Sequence, residues 1–304
     1  MPGDHRKYAM NNSKTLFTFL RFGVRLFVLL FCVVVHPLHA QEESEYVRFV
    51  PGNLEWEGEL QTAIVSFEND VGVQLNLVAA VHLGEEEYYA ELNDYFKAQD
   101  VVLYELVAEP DQVPVRGSRE ASTSLVGFIQ QSMAKFLKLG FQLDEIDYTQ
   151  SNFLHADLTP SQLDELMASK NENFFTMFLN LAMAQMAEQN ASPDGRLSSF
   201  NMLSLLSAMN SEDQNAALKF LFAQELGRSG GVIVGEELEQ QLTILGDRNK
   251  AALRVLGDAL QNPDFRRVSI FYGAAHMPGI EREISATMGF ARTGLSWQSA
   301  WIVP

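Results

Sequence analysis

Hydrophobic and polar positions alternate, or give way to unbroken apolar runs, in three segments that predict β-strands. These segments are Tyr46–Val50, Thr62–Glu68 and Val73–Val81. Asn69-Asp70-Val71-Gly72 joins the last two and is typical of a hairpin turn. The third run begins with alternation and ends wholly apolar, as expected where a strand enters the centre of a sheet.

A strand–helix–strand pattern follows the third run. Gly84 interrupts the apolar residues, and Glu85–Ala98 is predicted to be a helix whose leading glutamates suit the positive end of the helix dipole. Val101–Val107 is a short apolar run that predicts a buried strand. Because the links are tight, we expect a βαβ unit in which the two strands run parallel.

The middle of the chain has a helical pattern. From about residue 119 to 227 there is almost no strand signal, and Thr159-Pro160-Ser161-Gln162 is a strong helix start with an N-cap and an early proline. Two apolar segments rich in methionine, 174–187 and 200–209, lie in this region. They predict either the core of a helical subdomain or a deformable groove or lid, because methionine packs adaptably.

The α/β pattern returns at the end of the chain. We expect helices at Glu236–Leu260 and Pro278–Met288, a strand at Arg267–Tyr272, and one or two strands within Phe290–Pro304. The sequence therefore predicts an α/β fold, with a central mixed β-sheet built from both ends of the chain and a large helical insertion at about residues 115–230.

The first forty residues differ from the rest. Basic residues precede the apolar run Leu26–Val35, and a small residue, Ala40, precedes a polar segment. This order is typical of a secretory signal peptide, and the run is shorter than the roughly 20 residues that span a bilayer. We expect cleavage after residue 40 and an exported domain, 41–304, that is periplasmic or extracytoplasmic. The alternative is an uncleaved segment that anchors the protein in the inner membrane.

Charge and cysteine content narrow the classes of partner. The chain has 39 acidic and 22 basic residues, a net charge of −17, and loss of the basic leader would make it still more acidic. This excess disfavours binding to nucleic acid or anionic lipid. We therefore expect a peptide or small-molecule substrate, and membrane contact only through the leader. The single cysteine, Cys32, lies in the leader, so the mature chain would have no disulfide.

Two histidines occupy matching places in the predicted fold. His82 and His276 each follow a strand and precede a helix, and the small residues Ala79 and Gly273 stand three positions before them. Small residues let the backbone turn sharply, so both imidazoles should face the carboxyl edge of the sheet, where open α/β folds bind ligands. The alternative is that each histidine is a helix cap or a structural hydrogen-bonding group.

Glu105 is the third candidate, because it lies inside the apolar run Val101–Val107. A buried carboxylate needs a cation, a metal or several hydrogen-bond donors. Arg248 is the natural partner, since a guanidinium binds a carboxylate through two bonds. The alternatives are that Glu105 lies at a solvated strand end and that Arg248 is an exposed surface residue.

Four segments, in this order, resemble the TraB/GumN family, which is related to the Tiki proteases. They are AAVHLGEEEYY, VVLYELV, ILGDRNKAAL and FYGAAHMPGIEREI, and the resemblance covers nearly the whole chain after the leader. The family has paired small-x-x-His motifs, a glutamate ending the second core strand, and an Arg-Asn pair on a late helix. The matching positions here are Ala79, His82, Glu105, Arg248, Asn249, Gly273 and His276. Ala79 stands where the family usually has glycine.

The resemblance implies a metal-dependent hydrolase. Tiki members are described as peptidases that use manganese or cobalt, so a divalent metal (Mn, Co or Zn) would be held by His82, His276 and Glu105. Two imidazoles and one carboxylate suit a first-row metal with open positions. Arg248 would orient Glu105 or stabilise an oxyanion, and Glu85 would act as general base.

Two further residues and two other functions stay open. His155 could be an additional ligand or a local hydrogen-bonding residue, and Asn249 is a further site candidate. The protein could instead be a metal-free hydrolase that uses histidine and glutamate as acid and base, as the distantly similar erythromycin esterases are thought to do. It could also bind a peptide, haem or metal without turnover. The sequence contains no His-Glu-x-x-His motif, so the common zinc-peptidase helix is excluded.

Overall fold

The structure is a computed structural model and describes residues 46–54, 56–117, 137–170, 172, 202–229 and 243–303. The expected signal peptide and the methionine-rich segment 174–187 lie outside these residues. Within them, no helix is both long and apolar enough to cross a membrane.

The strands of the described part are as follows. They are β1 (Val47–Pro51), β2 (Gly58–Glu68), β3 (Gln74–Ala80), β4 (Leu83–Gly84), β5 (Val101–Tyr104), β6 (Gly140–Phe141), β7 (Phe153–His155), β8 (Arg267–Gly273) and β9 (Ala291–Val303). The helices are α1 (Glu86–Lys97), α2 (Gln142–Glu145), α3 (Pro160–Ser169), α4 (Met202–Met209), α5 (Gln214–Ser229), α6 (Arg248–Ala259) and α7 (Met277–Thr287). A π-helical turn, Thr243–Asp247, precedes α6, and a 3₁₀ turn, Ala274–His276, precedes α7.

Seven of these strands form one mixed sheet, in which β1, β2, β3, β8, β5 and β7 follow one another and β9 also pairs with β2. Strands β3, β8, β5 and β7 run parallel, whereas β1, β2 and β9 are antiparallel to their neighbours. The α/β fold with a mixed sheet built from both ends of the chain is therefore confirmed.

The βαβ unit formed by β3, α1 and β5 has its strands parallel, as expected, but they are not adjacent. Strand β8, from the other end of the chain, lies between them and pairs with both. All four residues of β5 and six of the seven residues of β3 are buried. Burial on both faces explains why β5 and the last four residues of β3 are apolar without alternation.

Strand β7 is a correction to the sequence prediction, which placed it in a region with almost no strand signal. It pairs parallel with β5, and the Asn152 side chain holds its start by donating to the carbonyl oxygens of Phe96 and Gln99, both at 2.9 Å. A strand of three residues is too short to show a period in the sequence. The expected helical insertion therefore contributes a strand to the central sheet.

The predicted start of α3 is confirmed by a complete capping box. Thr159 Oγ1 accepts a hydrogen bond from Gln162 N at 3.3 Å, and Gln162 Oε1 accepts one from Thr159 N at 3.0 Å. The end of the predicted helix Glu236–Leu260 corresponds to the π-helical turn and α6, while its first residues lie outside the described part.

Candidate functional site

The four parallel strands end at one edge of the sheet, and each is followed within three residues by an ionisable side chain. His82 follows β3, His276 follows β8, Glu105 follows β5 and Asp157 follows β7. The strand order β3, β8, β5, β7 places these residues in a row. Arg248, the first residue of α6, joins them. We name these five residues the edge cluster.

Glu105 is buried and has partners on both carboxylate oxygens. Its side chain is 9% exposed, and Oε1 accepts a hydrogen bond from Arg248 Nη2 at 2.6 Å. Oε2 accepts one from the backbone N–H of Gly273 at 2.5 Å, and His276 Nε2 lies 3.5 Å from Oε1. Glu105 follows the last residue of β5, but it is not the solvated strand end of the alternative interpretation.

Gly273 makes room for this carboxylate. A Cβ atom at this position would lie 3.2 Å from Glu105 Oε2 and 3.8 Å from His276 Cδ2. Its φ angle of −53° is accessible to any residue, so the backbone conformation does not require glycine. The small residue leaves room for the approach of Glu105, and it also directly precedes the 3₁₀ turn, where the sequence predicted a sharp change of direction.

Ala79 is not the structural counterpart of Gly273. In the parallel pairing of β3 with β8, Ala79 lies opposite Tyr272, and Ala80 lies opposite Gly273. The 3₁₀ turn Ala274–His276 accommodates the additional residue on the β8 side. Ala79 is buried within β3, so its expected role in a turn is wrong, although the two histidines still reach the same edge.

Arg248 bridges two carboxylates. Its Nε donates to Asp157 Oδ1 at 3.0 Å and its Nη2 to Asp157 Oδ2 at 2.5 Å, while Nη2 also contacts Glu105. Arg248 is 8% exposed and the Asp157 side chain is fully buried, so the surface alternative for Arg248 is excluded. Sequence reasoning missed Asp157. The available signal was an acidic residue just after a strand, but that strand had not been recognised.

The charges of the edge cluster keep Glu105 and Arg248 ionised. Burial raises the pKa of Glu105, but Arg248, His276 and His82 together hold it well below its usual value. Burial lowers the pKa of Arg248, whereas Glu105 and Asp157 raise it above its usual value. The cluster therefore contains a carboxylate and a guanidinium in direct contact at neutral pH.

An amide side chain lies against Nδ1 of each histidine. Asn249 Oδ1 is 2.6 Å from His276 Nδ1, and Asn249 Nδ2 donates to the His276 carbonyl oxygen at 3.4 Å. Gln142 Oε1 is 3.2 Å from His82 Nδ1, and Gln142 Nε2 donates to the Tyr148 hydroxyl at 2.9 Å.

These contacts assign the tautomer of both rings. Because each amide nitrogen donates elsewhere, each amide oxygen faces the imidazole and accepts from Nδ1–H. In a neutral ring this tautomer leaves Nε2 without a proton and able to bind a metal, whereas a protonated His276 would direct Nε2–H towards Glu105. His82 is exposed at the edge, whereas His276 is 4% exposed.

Glu85 and His155 are not brought into the edge cluster. Glu85 forms an ion pair with Lys219 and accepts a hydrogen bond from Ile302 N at 3.2 Å, so its contacts do not support the expected role of general base. His155 Nε2 lies 2.7 Å from the Leu106 carbonyl oxygen, which is the local role that the sequence left open.

The donor types of the edge cluster suit a first-row divalent metal, but their arrangement fits one only in part. Imidazole nitrogens and a carboxylate are the ligands such metals prefer. Among the described residues, however, no group of three or more His, Cys, Asp or Glu side chains is arranged to hold a metal ion. A metal would have to share Glu105 with Arg248, which already contacts it.

Comparison of the chain with protein-family models, with curated proteins and with solved structures found no match. The resemblance to the TraB/GumN family therefore rests on the motifs and stays a prediction. The geometry of the edge cluster is the basis on which a function can be assigned.

Proposed function

We propose that this chain is an exported hydrolase that cleaves an amide or ester bond, in a peptide or similar substrate, at the edge cluster. The observation that carries the proposal is the matched setting of His82 and His276. Each has Nδ1 held by an amide oxygen, and both act on the pKa of the ionised Glu105. Two oriented Nε2 atoms beside a carboxylate supply the groups that hydrolysis needs.

A divalent ion (manganese, cobalt or zinc) is the first candidate cofactor, because the donor types of the edge cluster suit it. Histidines that bind metals are held through their other ring nitrogen in this way, which leaves Nε2 of His82 and His276 as ligands together with Glu105. A bound ion would polarise a carbonyl group and make a water molecule more acidic. Arg248 would keep Glu105 ionised and in place.

A metal-free mechanism is the second candidate, and the ion pair of Glu105 with Arg248 favours it. Here the guanidinium supplies the positive charge that a metal would otherwise bring. His82, which is exposed, would in its neutral form take a proton from water as the water attacks the carbonyl carbon. His276, when protonated, would pass a proton to the leaving group. The proton taken up by His82 would then be released to solvent and one returned to His276, so both rings regain their starting states.

Metal content of the purified protein is the first test. After chelation and equilibration with manganese, cobalt or zinc, the metal-dependent form predicts about one ion per chain, lost in both His82→Ala and His276→Ala. His155→Ala is the matched control, because this histidine lies outside the edge cluster and should leave the metal bound. A folded protein that takes up no metal would remove the cofactor from the proposal.

Turnover separates the remaining functions. Incubation with a mixed peptide library, followed by mass spectrometry, should reveal cleavage products that His82→Ala and His276→Ala fail to form. Cleavage abolished by chelation supports the metal-dependent enzyme, and cleavage that survives chelation supports the metal-free mechanism. Peptide, haem or metal that remains bound without turnover would replace the hydrolase with a binding protein.

A further inference from the structure

A cavity of about 540 Å³ lies close to His82, between α1, α5, the end of β9 and the residues that precede β6. Its volume falls within the range of ligand pockets, roughly 300–1,000 Å³. Glu85 lines it and is the third residue after His82, so their Cα atoms are at most about 11 Å apart. The cavity therefore adjoins the edge cluster without sharing its residues.

The lining of the cavity includes an ion pair. Lys219, which is 8% exposed, pairs with Glu85, and Glu85 also accepts a hydrogen bond from the backbone of Ile302. Because the two charges balance, the pair adds no net charge to the lining. Ser299 in the wall has a buried hydroxyl oxygen with no hydrogen-bond partner in the described part of the chain.

The other charged residues of the described lining carry an excess of negative charge. Glu87, Glu91 and Asp213 are exposed, and Lys138 is the one cation opposing them apart from the paired Lys219. Leu137, Ala216 and Ile302 contribute apolar groups to the same walls. The cavity thus combines apolar walls with three exposed carboxylates, which we name the rim carboxylates.

We infer that this cavity is a subsite for a basic side chain, lysine or arginine, of a peptide. Such a side chain has an apolar stem that can pack against the walls and a cationic end that the rim carboxylates attract. The role in substrate selection rests on the proposed hydrolase function. One residue of extended peptide spans about 3.5 Å, so the basic residue would lie within about three positions of the bond near His82.

Binding of short blocked peptides to the purified protein, followed by NMR chemical-shift titration, tests this inference without any turnover. The probes are acetyl-Ala-Lys-Ala-amide and the uncharged counterpart with norleucine in place of lysine. The lysine peptide should bind more tightly and shift resonances of α1 and α5. Equal affinity for the two peptides, or no binding of either at about 10 mM, would overturn the inference.

The triple variant Glu87→Gln, Glu91→Gln, Asp213→Asn should bind the lysine peptide roughly fivefold to tenfold more weakly, since three exposed charges are removed. Glu86→Gln is the matched control, an exposed glutamate of the same helix turn that does not line the cavity, and it should change affinity less than twofold. Equal effects of the two variants would assign the binding to overall charge and refute the subsite.

The His82→Ala, His276→Ala double variant separates this inference from the proposed function. Lysine-peptide binding that persists in it, while metal and turnover are lost, supports both statements. If the native protein binds the lysine peptide but shows neither bound metal nor turnover, the subsite is supported and the hydrolase is rejected. Binding that disappears in the double variant places the peptide at the edge cluster and rejects the subsite.

Discussion

Among single residues, Arg248 should have the largest effect on stability. Arg248→Met leaves Glu105 and Asp157 buried without a cation, and loss of one partner of a buried ion pair costs about 3–5 kcal/mol in the free energy of unfolding. Urea denaturation at pH 7 measures this loss. Arg254→Met, an exposed residue of the same helix, is the control and should change stability by less than about 0.5 kcal/mol. Similar losses in both variants would contradict the bridging role.

Glu105 makes stability depend on pH with a defined sign. Its pKa in the folded protein lies well below the value of about 4.3 of an unfolded chain, so its contribution is complete above that value and is lost as pH falls through the folded pKa. The wild type should therefore lose stability below about pH 4 more steeply than Glu105→Gln. Thermal unfolding between pH 7 and pH 3 tests this, and parallel profiles would argue against a lowered pKa.

Gly273 and Gly257 form a matched pair for testing the space beside Glu105. Gly273→Ala places a Cβ atom 3.2 Å from Glu105 Oε2, and such crowding should cost about 1–3 kcal/mol. Gly257→Ala, in α6, meets nothing within 4 Å and should stabilise the helix by up to about 1 kcal/mol. Urea denaturation of both variants should give changes of opposite sign. Two changes of the same sign would show that the carboxylate adjusts freely.

Among the elements, α3 has a start whose contribution can be isolated. Thr159→Ala removes the side-chain acceptor of the capping box and should lower the free energy of unfolding by about 1 kcal/mol. Thr159→Ser retains a hydroxyl that can accept the same bond, so urea denaturation should show a much smaller loss. Equal losses would assign the effect to the threonine methyl group and leave the cap without a measurable contribution.

The elements also show how far the sequence could predict this fold. Long apolar runs such as β8 and the periodic helix α7 were predicted to within one residue at each end, because burial on defined faces leaves a period in the sequence. β7 was missed because a strand of three residues is too short to leave a period in the sequence. Its contribution to the site, Asp157, was missed with it.

Residues of the candidate site could be predicted where the local sequence at one strand end identifies them. Features that depend on the register between two strands could not. His82, His276, Glu105 and Arg248 were found because each has an unusual residue type in its local context. The sequence aligned Ala79 with Gly273, whereas the strand register sets Ala80 beside Gly273. A one-residue offset between strands leaves no local trace, and neither do the amide contacts at the histidine rings.

In the molecule as a whole, the first and last strands of the described part belong to one sheet and should unfold together. β9 pairs with β2 along its whole length, and Trp301, 1% exposed, donates from Nε1 to the Leu83 carbonyl oxygen at 2.6 Å. A C-terminal strand with these contacts cannot detach without exposing the core beside β2. We therefore expect the described domain to unfold in one cooperative transition.

The three tryptophans allow this to be measured. Trp56→Phe leaves Trp297 and Trp301, both in β9, as the only tryptophans, so fluorescence then reports on the C-terminal strand alone. Its urea midpoint should coincide with the midpoint from far-UV circular dichroism, and a lower midpoint would mean that β9 separates first. The edge cluster draws on β3, β5, β7, β8 and α6, so a ligand bound there should raise both midpoints equally. A ligand that raises only one of the two midpoints would be bound to a part of the chain that unfolds independently.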